Sequence, residues 1–138
     1  MGANSVVQII TNTYDTELSL TTSYQDTGLE ATITPKYSNS KILVQWCINY
    51  STSDSAAGCH VHENLYRDST RLDSATDGIR SLSGYHVARS YQTTSWVDEP
   101  ATTSAITYKI QAKEGTGDAA LAHEAGNPSI MILTEIRQ

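Results

Sequence analysis

The chain contains no phenylalanine, only three prolines and two cysteines in 138 residues, and no apolar run near the roughly 18 residues of a membrane-spanning helix. The opening residues lack a basic segment ahead of an apolar stretch, so no secretory leader is read there and neither a leader nor a membrane anchor is expected. Two cysteines are too few for a disulfide framework, and Cys47 and Cys59 lack the spacing of a metal knuckle. Charged residues make up 17% of the chain, below the usual quarter. The nine Lys and Arg are scattered among fifteen Asp and Glu, for a net charge of -6. Phosphate recognition needs clustered cations, so nucleic acid is not an expected partner.

Catalytic signatures are missing as well. The sequence holds no Gly-x-Ser-x-Gly elbow, no phosphate loop, no His-Glu-x-x-His and no paired carboxylates in apolar surroundings. Ser83, Ser90 and Ser95 near His86 are a coincidence that a chain one quarter Ser and Thr supplies by chance. The expectation is a protein that is not an enzyme and carries no cofactor.

What is abundant is sheet-forming material: Ser, Thr, β-branched residues and eight Tyr. Period-two alternation broken by turn residues predicts strands at about 5–11, 14–20, 28–34, 41–50, 58–66, 70–73, 84–98, 105–113 and 128–137, with 118–125 read as a loop. Eight to ten short antiparallel strands in one domain, 1–138, predict an all-β sandwich of jelly-roll type. Alternation assigns inward faces to Leu29, Ala31 and Ile33, to Ile42, Val44, Trp46, Ile48 and Tyr50, and to Ile106, Tyr108, Ile110 and Ala112.

Two segments, 5–10 and 130–133, are apolar on both faces, which a half-solvated sheet accepts only when something covers its second side. A domain of this size has no further layer to offer. The expected cover is another copy of the chain, and the expected interface residues are Val7, Ile9, Ile130, Met131, Ile132 and Leu133, with either Met131 and Leu133 or Ile130 and Ile132 facing outward.

His60-Val61-His62 sets two imidazoles on one strand face about 7 Å apart, a spacing a shared metal can use, although no carboxylate is fixed beside them and no resident metal is expected. Folding the strand at 41–50 back about Ser53 would oppose Cys47 and Cys59, and would turn both histidines toward the Trp46 face. Asp98 and Glu99 read as a solvated strand end at the Pro100 turn. Asp54, Tyr85 and Tyr91 are the expected loop contacts for a partner or for a sugar, through carboxylate hydrogen bonding and aromatic stacking.

Several blocks then carry a likeness: Val6-Val7-Gln8-Ile9-Ile10, Thr27 through Pro35, Ser38 through Val44, the run from Asp98 to Ile110, and Ile132-Leu133-Thr134-Glu135-Ile136. In order and spacing they resemble the small β modules of tailed-phage virions, found in capsid-decorating proteins, head fibres and tail fibres. Those modules are similar to the trimeric jelly rolls of the tumour-necrosis-factor and complement-head type. The resemblance implies a homotrimer in a virion assembled in the host cytoplasm. Its partners would be phage coat protein or fibre and tail proteins. The absence of a shaft or repeat within these residues favours capsid decoration or cementing over a host-adhesion tip binding a surface glycan.

Overall fold

The computed structural model describes residues 4–52, 59–84, 88–115, 120–124 and 127–138. They form β1 (Ser5–Tyr14), β2 (Leu18–Ser19), β3 (Gln25–Ile33), β4 (Lys41–Thr52), β5 (Cys59–Arg67), β6 (Thr70–Arg71), β7 (Arg80–Gly84), β8 (Ala88–Asp98), β9 (Ile106–Glu114), β10 (Ala120–Ala122) and β11 (Ser129–Arg137). No helix occurs among the described residues.

Two antiparallel sheets face each other. The first runs β1-β11-β4-β8, with β10 extending the position of β11 along β4 and β2 beyond it. The second runs β3-β9-β5, with β6 and β7 sharing the far edge of β5. The pairing is nested: β1 with β11, β3 with β9, β4 with β8, β5 with β7. A long antiparallel ribbon rolled on itself gives this order, which is the jelly-roll arrangement that alternation and turn spacing predict.

The assigned inward faces meet in one core. Leu29, Ile33, Ile42, Val44, Trp46, Ile48, Tyr50, Leu65, Tyr108, Ile110, Met131 and Leu133 are all fully buried in it. The elements differ most from expectation in three places. The expected strand at 14–20 shrinks to two residues because β1 itself runs on to Tyr14. The expected strand at 84–98 corresponds to β8, which pairs with β4, and the segment before it, read as a loop, holds β7, which pairs with β5 in the other sheet. A short strand, β10, lies inside the segment read as a loop, where Ala120 and Ala122 pair with Thr52 and Tyr50.

The open seams of the sandwich are closed by side chains. Between β1 and β3, Gln8 Nε2 and Asn12 Nδ2 donate to the carbonyls of Thr34 and Glu30 at 2.8 and 2.7 Å. Near the same seam, Gly28 (φ +88°) lies in a register break of β3, directly beneath the Tyr14 ring. A Cβ there would stand 2.4 Å from Tyr14 Cζ. Gly28→Ala therefore combines a left-handed backbone with a clash. It is expected to cost about 3 kcal/mol in thermal unfolding, and a melting temperature equal to the wild type would refute the packing described.

Candidate interaction face

The two sheets differ in what they show to the outside. On the outer face of the second sheet, Lys109 pairs with Asp26 at 3.0 Å, Gln111 Nε2 donates to Asp26 Oδ1 at 2.8 Å, and Lys113 stands over the Tyr24 ring. That face is charged and wet. The outer face of β1-β11-β4-β8 carries Val6, Ile9 and Thr11 from β1, Ile130, Ile132, Thr134 and Ile136 from β11, Leu43, Gln45 and Cys47 from β4, and Tyr91, Thr93, Ser95 and Val97 from β8. An ion pair bounds it at each end: Lys41 with Glu99 at 3.1 Å, and Arg89 with Glu124 at 2.7 Å. Between them, among the described residues, no side chain of this face is charged. All five exposed large hydrophobic residues among the described residues stand here: Val6, Ile9, Tyr91, Val97 and Ile130, from 36% to 57% exposed. Gln45, Trp46, Cys47, Thr93, Ile130 and Ile132 line a shallow cavity of about 90 Å³ in its middle.

The alternatives left open for the terminal strand are thereby resolved. Met131 and Leu133 point inward and are fully buried, opposite Trp46 and Val44, so the expectation that they meet another copy is corrected: the protomer's own second sheet covers them. Ile130 and Ile132 face outward. Ile9 is exposed, whereas Val7 is half-buried at the bulge between Val6 and Gln8. Tyr91 belongs to β8 and to this face, not to a loop. Asp54, Tyr85 and His86 lie outside the described residues.

Other expectations are also corrected. β4 and β5 belong to different sheets, so the hairpin that would oppose Cys47 and Cys59 does not form. Cys47 is free, across from Thr93 and Ile130, while Cys59 pairs in register with Gly84. His60 and His62 consequently sit on the outer face of the second sheet, away from Trp46, with rings stacked at 6.3 Å. Among the described residues no three His, Cys, Asp or Glu gather in a way that could hold a metal. Asp98 is not a solvated end. Its carboxylate accepts from Arg67 Nη1 and Tyr108 Oη at 2.7 Å each and ties β8 to the opposite sheet, and the Tyr108 hydroxyl is pushed well above its ordinary pKa by burial and by this bond. Glu99, by contrast, is exposed.

Three buried polar side chains hold the sheets in place. Glu63 accepts from Trp46 Nε1 at 2.9 Å and Tyr50 Oη at 2.7 Å, with Arg80 at 3.5 Å. Glu135 accepts from Gln8, Ser40 and the backbone of Lys36 and Tyr37. His123, fully buried, donates through Nε2 to the Thr27 carbonyl at 2.8 Å, and its Nδ1 lies 2.7 Å from the Ser129 hydroxyl, which donates to it in the neutral ring. Desolvation pushes its pKa below the ordinary value. Alternation carries a signal for two of them: Glu63 shares the inward parity of Val61 and Leu65, and Glu135 that of Met131 and Leu133. A carboxylate in register with core residues has to be buried and bonded. His123 sits in a segment without periodicity, so no such signal exists for it.

No family model matches the chain, and no curated protein matches it in sequence. Solved structures resemble it in fold. A chain of the T13 particle of infectious bursal disease virus is 12% identical, covers 96% of this chain and 36% of its own, and superposes with a TM-score of 0.54. The structure of the Gx strain of infectious bursal disease virus gives 14%, 94%, 36% and 0.46, and the VP2 subviral particle of infectious bursal disease virus 14%, 95%, 37% and 0.40. This chain spans about a third of the length of those proteins. At 12% identity the likeness to the T13 particle chain concerns the fold alone, an all-β sandwich.

Proposed function

We propose that this protein is a non-enzymatic structural module of a virion, a homotrimer that decorates or cements a capsid. One observation carries the reading: the exposed large hydrophobic residues are gathered on a single uncharged sheet face, while the opposite sheet is charged. A monomer of net charge -6 gains solubility from charge on any outer face. Two copies of like charge approach most easily where neither carries any, and there apolar contact outweighs residual repulsion.

The size fits. Four strands about 4.8 Å apart and roughly 27 Å long present on the order of 500 Å² per copy. Two such faces together reach about 1,000 Å², the lower end for a specific interface. Three faces turned toward a common axis would cover Ile9, Ile130 and Val97 and leave the charged sheets outside. The jelly roll shared with a viral particle protein and the blocks resembling phage virion modules support the virion setting. The net acidity suits docking onto a basic coat surface.

Light scattering tests the assembly. A mass of about 45 kDa is expected, three times the 15.0 kDa chain. Ile130→Asp with Val97→Asp is expected to yield a folded 15 kDa species, because both residues already face outward and their exchange leaves the core intact. A wild-type protein of monomeric mass at all concentrations would reject the assembly. Quantitation in intact particles tests the placement: hundreds of copies fit decoration, a handful fits a tail.

A further inference from the structure

We propose that His60 and His62 form a two-imidazole site for a borderline divalent cation, with zinc as the reference ion. The site is independent of the self-association face and lies on the other sheet. β5 projects both rings from the outer surface, stacked with centroids 6.3 Å apart and planes inclined by 18°. His62 Nδ1 lies 3.0 Å from the carbonyl oxygen of Asp77. A carbonyl only accepts, so Nδ1 carries the proton and Nε2 keeps its lone pair. An outer hydrogen bond of this kind is what orients imidazoles that ligate metals.

That Nε2 points over Gly115. A Cβ on this glycine would lie 3.5 Å from His62 Nε2 and only 2.8 Å from His60 Cβ, so a larger residue here would crowd both histidines. The Gly115 amide donates to the His60 carbonyl at 2.7 Å and holds this floor against the strand. Across β9 from His62 stands Lys113, whose ammonium is drawn over the Tyr24 ring at 4.8 Å; across β7 stands Ser81.

Two imidazoles on one zinc place their ring centroids about 5 Å apart. A side-chain swing of His60 closes that gap without moving the strand. The donor set is nitrogen only, which suits zinc, nickel or copper and disfavours magnesium and calcium. Two positions of a tetrahedral ion stay open to water or to a carboxylate or imidazole of a neighbouring molecule.

Titration calorimetry of the full chain with zinc chloride tests the site. One saturable zinc per chain is expected, with no heat from magnesium. His60→Gln and His62→Gln should each weaken binding about tenfold or more while leaving the metal-free protein folded, both side chains being half-buried on the outer face and outside the core. In the unaltered protein, zinc should shift the imidazole resonances of His60 and His62 and leave those of His86 and His123 in place. Absence of saturable binding, binding that survives both substitutions, or shifts centred on His86 or His123 would overturn the assignment.

Discussion

Replacing Glu135 by Ala is expected to cost about 3 kcal/mol or more and to lower the melting temperature by roughly 10 °C. This carboxylate is fully buried, yet it accepts from Gln8 Nε2 at 2.6 Å, Ser40 Oγ at 2.7 Å, and the amides of Lys36 and Tyr37 at 2.8 and 3.2 Å. It fastens the last strand to the first and to the turn that launches β4. Truncation leaves four donors around a cavity that cannot solvate them. Glu135→Gln keeps the shape but loses charge-assisted bonds and turns an amide donor toward other donors, so it should recover only part of the loss.

The pH dependence gives an independent check. Burial alone would raise the carboxyl's pKa, but the hydrogen bonds from Ser40, Gln8 and the two backbone amides outweigh it and hold the group below the ordinary carboxylate value. Its stabilisation is therefore complete above the unfolded pKa and is lost as pH falls through the lower folded one. Glu135→Ala should flatten that acid limb. An acid-unfolding profile as steep as the wild type's would refute the role given to Glu135.

The second large effect concerns Arg80. Arg80 is 8% exposed; its guanidinium faces fully buried Glu63 and donates through Nη1 to the Gln92 carbonyl at 2.8 Å, so one side chain joins β7, β5 and the edge strand β8. Arg80→Met removes the only cation beside Glu63 among the described residues and should cost about 3 kcal/mol near pH 8. The loss is bounded because Glu63 can take up a proton. Burial already raises its pKa, against the opposing pull of Arg80, Trp46 and Tyr50.

For a carboxyl whose folded pKa is raised, stability is fully present below the unfolded value and declines as pH rises through the folded one. Removing Arg80 raises that folded value further. The destabilisation by Arg80→Met should thus be smaller near pH 5 than near pH 8, and Glu63→Gln in the same background should restore much of it. Equal losses at both pH values would show that Arg80 acts through packing and its bond to β8 alone.

The two carboxylates also show how far periodicity reaches. Alternation locates the inward rows of β3, β4 and β9, because a strand half in water and half in a core has to repeat every two residues. Among the described residues, nine of the eleven strands overlap a predicted strand by two residues or more, and β7 and β10 do not. What alternation leaves open is which strand lies beside which. A tight hairpin, the nearest partner in sequence, would set Cys47 against Cys59, whereas the jelly roll sends β5 to the other sheet and gives β4 to β8, β10 and β11. The same routing puts His60 and His62 on the outer face of the second sheet, where neither a slipped hairpin register nor an interface on the Trp46 side is needed to place them.

The doubly apolar ends show the division most clearly. By itself the sequence determined that residues 5–10 and 130–133 put hydrophobic side chains on two sides, that the domain is all-β, and that it lacks the clustered charge and motifs of nucleic-acid binding and familiar catalysis. Only the tertiary structure decided that Met131 and Leu133 belong to the protomer's own core while Ile9, Ile130, Tyr91 and Val97 share one uncharged outer face. The reason is geometric: the composition of a strand is local, but its two sides acquire meaning only when distant segments, paired first with last, set which side meets a sheet and which meets the outside.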